Sequence, residues 1–234
     1  LHRRRHSFPT RRSSDLDAPI NLILTSPPYP LAKERAYGNV HLSVYIDWLI
    51  KTIEPAVKNM ADGASICLNI SNDKFLSGSP ARSTYVERLV LALEARLGLS
   101  LMDRLIWSNP SKPPSPIRYA SLDRTQLNAG WEPIIWMTNN PHRVRSNNTR
   151  VLMAHSERHL KLMQQGGEQR FAVNSDGAYT IRPGSYGHET PGKIPRNVLQ
   201  FGHACADQRA YKRACRENGL PAHGAPMPLA PAKR

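Results

Sequence analysis

The strongest constraint on this chain lies near its start, where the apolar run I-N-L-I-L, Ile20 to Leu24, meets T-S-P-P-Y, Thr25 to Tyr29. A run this short is too brief for a helix, and the prolines that bound it mark it as a buried strand. Pro27 and Pro28 end that strand. Each lacks an amide hydrogen, holds its own φ at about −65°, and pushes the residue before it into an extended conformation. Ser26 and Pro27 therefore sit in a stiff turn whose carbonyl oxygens point in a set direction. A turn of this kind at the carboxyl end of a buried strand lies where α/β sheets hold their ligands. Its acceptors suit a substrate that donates hydrogen bonds, and an amino group is the obvious candidate.

The next hundred residues alternate between two periods. From His41 to Met60, Leu42, Tyr45, Ile46, Leu49, Ile50, Ile53 and Val57 recur at three- and four-residue steps, the spacing of a one-sided helix that Pro55 kinks or shortens. Asp62-Gly63 marks a stop, and Ala64 to Ile70 reads as a second buried strand. Arg82 to Leu97 repeats the helical pattern through Val86, Leu89, Val90 and Leu93, with Gly98 placed as its C-cap. A third strand is expected over Leu99 to Trp107 and a fourth over Trp131 to Thr138. Between them Asn109 to Pro116 is too rich in proline for a helix or a central strand. The order strand, helix, strand, helix, strand, strand is that of an α/β sheet.

From Pro141 to about Lys193 the sequence turns polar, basic and glycine-bearing without a sustained period. In a compact protein that length of irregular chain is usually functional. Cys205 to Glu217 has the composition of a short basic helix, and Pro221 to Pro231 is rich in proline. Apolar residues make up 40% of the 234, enough for a packed core, and no stretch approaches the roughly 18 uncharged apolar residues of a membrane helix. Cys67, Cys205 and Cys215 form neither a paired disulfide set nor a C-x-x-C metal site, and His203 beside Cys205 has no second half; a reducing cytoplasm is the expected compartment. The formal charge of +14 points to a polyanionic partner. Residues 1–16 read as a translated adapter rather than native sequence. Leaving out their five arginines and one aspartate still gives +10.

T-S-P-P-Y behind an apolar strand resembles motif IV of the amino-group DNA methyltransferases. Four further stretches agree in order and spacing: Y-I-D-W-L (Tyr45 to Leu49), D-G-A-S-I-C-L-N-I (Asp62 to Ile70), L-M-D-R-L-I-W-S-N-P (Leu101 to Pro110) and W-E-P-I-I-W-M-T (Trp131 to Thr138). The resemblance implies a partial Rossmann-like methyltransferase sheet with an irregular basic insertion. It also implies methyl transfer from S-adenosylmethionine to the exocyclic amine of a base flipped out of double-stranded DNA. Ser26 and the main-chain oxygen of Pro27 would accept the amine hydrogens, with Pro28 stiffening the turn and Tyr29 stacking on the ring. A serine at this position leans toward cytosine N4, with adenine N6 as the alternative.

By the same resemblance, Lys33, Arg35 and Tyr37 after the turn, and Arg143, Arg145 and Arg150 in a target-recognition region over 141–193, would contact DNA. A cognate restriction endonuclease is a further partner that the resemblance allows, and the setting would be the cytoplasm of a prokaryote or phage. The chain has no F-x-G-x-G, and His223 to Ala230 reads as the start of a connection to a cofactor half. The expected organisation is therefore a non-native leader at 1–16, a catalytic half at 17–140, the recognition region, and a linking segment at 194–234. So organised, the chain alone would neither bind S-adenosylmethionine tightly nor methylate DNA. A non-catalytic DNA-binding protein, and an enzyme of the same fold acting on RNA or protein, are the rival readings.

Overall fold

The computed structural model describes residues 18–30, 40–202 and 205–222. Its elements are β1 (Ile20–Thr25), α1 (Tyr45–Val57), β2 (Met60–Asn69), α2 (Tyr85–Leu97), β3 (Ser100–Ser108), β4 (Trp131–Thr138), α3 (Glu157–Gln164), β5 (Ala172–Asn174), β6 (Tyr179–Ile181), β7 (Val198–Gln200) and α4 (Ala206–Glu217). They fall into two compact units. One takes the described residues up to Arg145 and from Asn197 onward; the other is Ser146–Arg196.

The first unit is built on a five-stranded sheet in the order β1-β2-β4-β3-β7. β1 and β2 run parallel with α1 as their crossover, and β3 runs parallel to β7. β4 is antiparallel to both of its neighbours and inserts between β2 and β3. One edge of the sheet thus collects the carboxyl ends of β1, β2, β3 and β7 together with the amino end of β4.

One face of the sheet carries the core. Tyr45, Leu49, Ile50, Ile53 and Val57 of α1 and Tyr85, Val86, Leu89, Val90 and Leu93 of α2 pack on Ile66, Leu68 and Ile70 and on Ile135 and Met137. Each fully buried Leu or Ile contributes about 1.5–3 kcal/mol relative to exposure, so this layer is the main source of the sheet's stability. Helical spacing located the helical residues of this layer apart from Tyr85, and two that it also named, Leu42 and Ile46, are only partly buried against the core. α1 is shorter than its pattern, however: His41 to Val44 form a turn instead, with the Val44 amide donating to the His41 carbonyl, and the helix ends two residues after Pro55. α2 begins at Tyr85 rather than Arg82, because Arg82 pairs with Phe75 in an antiparallel bridge and the Ser83 amide donates to the Lys74 carbonyl at 2.8 Å; Gly98 closes the helix at φ 64° as expected.

Asp62-Gly63 does not stop the chain before β2. It lies inside the strand as a bulge, between the Ile20–Met60 pair and the Leu22–Ser65 pair. Gly63 adopts φ 75°, and Asn139 bridges the bulge, accepting from the Gly63 amide at 3.0 Å and donating to the Ala61 carbonyl at 2.9 Å. Those side-chain bonds replace the ladder bonds that the bulge removes, which is how the strand continues across a sequence that reads as a turn.

The second unit holds α3, capped by the Ser156 hydroxyl accepting from the His159 amide, and the antiparallel β5–β6 pair. No helix among the described residues is long and apolar enough to cross a membrane.

Candidate active site

Ser26 to Pro30 leave β1 at the collecting edge. Pro27 and Pro30 are buried, Ser26 and Pro28 are exposed, and Tyr29 is half-buried. The turn is tied down by its tyrosine. The Tyr29 hydroxyl lies 3.0 Å from Asn69 Oδ1 at the end of β2 and 3.1 Å from Glu132 Oε2 at the start of β4, and it accepts from Ser26 Oγ at 3.2 Å. Asn69 Nδ2 donates to the Pro133 carbonyl at 3.4 Å, and Lys112 Nζ reaches Glu132 Oε1 at 3.3 Å. The Lys112 and Glu132 side chains are only 16% and 17% exposed, so this is a sheltered ion pair rather than a surface one.

The antiparallel insertion of β4 makes the arrangement possible, because it sets the first residues of one strand beside the last residues of two others. The proline-rich segment after β3 supplies the lysine. Its geometry is fixed by Asn109, which accepts from the Ser111 amide and hydroxyl at 3.1 and 2.9 Å while its own amide donates to the Gly130 carbonyl.

Burial, with the Glu132 charge second, raises the Tyr29 phenol well above the usual tyrosine range, so it stays protonated at any physiological pH. Burial does the same to Tyr45 and Tyr85, whose rings meet edge to face at 5.8 Å. The Tyr85 hydroxyl donates to the Ser71 carbonyl. The edge therefore offers neutral hydroxyls and one paired carboxylate. Among the described residues, no group of three His, Cys, Asp or Glu side chains could hold a metal.

The structure brings Ser26, Pro27, Pro28 and Tyr29 together at this edge. Lys33, Arg35 and Tyr37 lie outside the described residues. Arg143 and Arg145 are placed at the other end of the strands, beside the β2 bulge. Arg143 pairs with Asp62 at 2.8 Å, the Arg145 side chain donates to Asn21 Oδ1 at 3.0 Å, and its amide donates to the Gly63 carbonyl. Six residues of strand separate Gly63 from Asn69, so these two arginines stand about 20 Å from the turn. Arg150 belongs to the other unit, in a short helical turn capped by Asn147, and is exposed.

Three members of the network were not picked out by reading the sequence: Asn69, Lys112 and Glu132. Asn69 and Glu132 did carry a signal, since each is a polar interruption of an otherwise buried strand and such a group needs a partner. Lys112 carried none, because a lysine in a proline-rich loop has no pattern to violate.

This mixed α/β sheet, with a proline-stiffened turn at its collecting edge, is a Rossmann-like methyltransferase fold. The chain belongs to the amino-group DNA methylases: the sequence profile of that family, described as DNA methylase, matches residues 20–234. The Type II methyltransferase M.PvuII of Proteus hauseri is 28% identical over 212 residues, covering 91% of this chain and 62% of that protein, so the chain spans less than two thirds of this relative's length. A solved PvuII DNA methyltransferase, described as cytosine-N4-specific, superposes with a TM-score of 0.62 at 23% identity, over 91% of this chain and 62% of its own. A Thermus thermophilus structure described as a DNA modification methylase superposes less well, with a TM-score of 0.45 at 11% identity over 88% of this chain and 69% of its own.

S-adenosylmethionine is the cofactor of this family. Among the described residues no strand of the five-stranded sheet opens onto the glycine-rich turn that cradles such a cofactor: β1 runs into Ser26-Pro27, β2 into Ile70-Ser71, β3 into Asn109-Pro110, β4 into Asn139-Asn140 and β7 into Phe201-Gly202. These residues do not fit the cofactor's nucleoside end, and none of them is assigned to it.

Proposed function

We propose that this chain carries the base-binding turn of a DNA methyltransferase that modifies the exocyclic amine of a flipped base, with cytosine N4 as the favoured target. The observation that carries the reading is the position of Ser26: an exposed hydroxyl at the carboxyl end of β1, held by a half-buried chain of hydrogen bonds and followed directly by the Pro27 carbonyl. The conjugated amine of a nucleobase is a poor nucleophile. Two acceptors, Ser26 Oγ and the Pro27 carbonyl, draw its hydrogens out of the ring plane and concentrate the nitrogen lone pair on the opposite side. Tyr29 offers its ring to the base while its hydroxyl is held inward, and base–aromatic contact of this kind is worth on the order of 1–3 kcal/mol. S-adenosylmethionine supplies the methyl group, and the gain from this chain's residues is orientation.

The second unit, Ser146–Arg196, is the proposed target-recognition region, with Arg150, Arg158 and Lys161 as phosphate contacts that set register on the duplex. The cytosine-N4 specificity of the PvuII enzyme and the serine of the turn both favour cytosine. The test is made at the gene's natural locus. DNA from cells carrying the intact gene and from cells carrying Ser26→Ala is digested to nucleosides and resolved by mass spectrometry. Loss of N4-methylcytosine in the variant is the expected result. Loss of N6-methyladenine instead moves the target to adenine, and an unchanged set of methylated bases overturns the reading.

A further inference from the structure

The direction of a hydrogen-bond chain is set by those members that have no choice. A carboxylate only accepts and an ammonium only donates, whereas a hydroxyl does either. Lys112 occupies Glu132 Oε1, which leaves Oε2 for the Tyr29 hydroxyl. Asn69 turns its oxygen toward the same hydroxyl, because its nitrogen is used on the Pro133 carbonyl. Both inward neighbours of Tyr29 are therefore acceptors, and its single hydrogen is committed to them. Burial keeps that hydrogen on the phenol. Only a lone pair of the phenol oxygen remains for Ser26, so the serine must donate. With its hydrogen spent, the exposed Ser26 Oγ presents nothing but lone pairs to whatever approaches it.

We propose that Glu132, acting through the Tyr29 hydroxyl, fixes Ser26 as a hydrogen-bond acceptor and so selects an amine-bearing base over a carbonyl-bearing one. Glu132 is a positioning residue, and its role rests on the reading that Ser26 meets the base. The bond from Tyr29 to Glu132 is charge-assisted, about twice as strong as one to a neutral amide oxygen, which makes the carboxylate the dominant of the two acceptors. Sites built to hydrogen-bond a substrate N–H reject the analogue that lacks it far better than apolar pockets reject a change of size, because the mismatch leaves groups unpaired.

Substitutions separate this role from a structural one. In Glu132→Gln, the donor-only Lys112 draws the amide oxygen, which turns the new NH2 toward Tyr29. There it competes with Ser26 for the phenol oxygen and frees the serine hydrogen to swing outward. Tyr29→Phe keeps the ring and removes the oxygen altogether. A loosened pocket would weaken every base alike, whereas a change of polarity alters the ratio between bases.

The experiment measures binding of four deoxynucleoside monophosphates to the full chain by ligand-observed NMR: those of cytosine and adenine, which carry the amine, and those of uracil and hypoxanthine, which carry a carbonyl in its place. Wild type, Ser26→Ala, Glu132→Gln and Tyr29→Phe are compared, each after a thermal melt shows it folded. The wild type is expected to prefer the amine-bearing pair by about tenfold. Tyr29→Phe should bring that preference to about unity, and Glu132→Gln should reduce it about threefold or more. If Ser26→Ala abolishes the preference and Glu132→Gln keeps it in full, the inference is overturned and the reading of the site stands. If the wild type shows no preference, or keeps it without Ser26, both fall.

Discussion

Lys112 and Glu132 show how much of the site depends on a pair of charges placed where water is scarce. Removing one member leaves the other half-desolvated without its counter-ion, a larger loss than the net value of the pair. Lys112→Met should therefore destabilise the protein by about 1–3 kcal/mol, and adding Glu132→Gln should recover part of it; urea unfolding of both variants measures the difference. Cys67 is a second residue with a readable environment. Burial pushes its thiol from 9.0 up to about 11, so alkylation by iodoacetamide should be slow at about pH 8 and accelerate only above about pH 10 in the folded protein. The sign follows from the direction of the shift: the unfolded chain loses the thiol proton first. Stability is thus intact below about pH 9 and falls as pH rises toward 11, by on the order of 2 kcal/mol for this group. The raised phenols of Tyr29, Tyr45 and Tyr85 extend the same alkaline loss upward. A denaturant midpoint that stays flat between about pH 9 and 11 would contradict this account.

At the scale of elements, the β2 bulge is the point where local sequence and tertiary demand meet most tightly. A Cβ on Gly63 would lie 1.9 Å from the Arg143 carbonyl oxygen, and φ 75° is itself strained for any side chain. Gly63→Ala is expected to cost about 2–4 kcal/mol, read from the unfolding midpoint, and to speed amide exchange at Arg145, whose N–H bonds the Gly63 carbonyl. The helices needed less help. Their three- and four-residue apolar steps placed Leu49, Ile53, Leu89 and Leu93 on the core face, because a helix makes its own backbone bonds and the apolar stripe alone decides which side is buried. The strand Trp131–Thr138 was likewise legible to the residue. The start of β2 was not, since a glycine that reads as a stop is kept in the strand by Asn139, a side chain 76 residues away.

For the whole molecule, the proposal that Ser146–Arg196 contacts DNA predicts binding that weakens steeply with salt, as a charge of +14 requires of contact with any polyanion. Arg150, exposed and without an ion pair among the described residues, is expected to contribute a full counter-ion: Arg150→Ala should lower the slope of log K against log salt by about one. Arg143 has first to leave Asp62, so Arg143→Ala should change that slope less. Filter binding at several salt concentrations separates the two, and equal slopes would show that the pair with Asp62 does not matter. Sequence by itself determined the local facts: where the apolar runs lie, their period, and the stiff turn that two prolines force on Ser26. Only the tertiary structure decided the neighbours. Nothing local says that β4 enters between β2 and β3, because strand order depends on which long-range pairing buries more surface. Yet that insertion is what carries Glu132 to Tyr29, 103 residues away in the chain, and sets Arg143 and Arg145, just past the carboxyl end of β4, at the opposite edge from the turn.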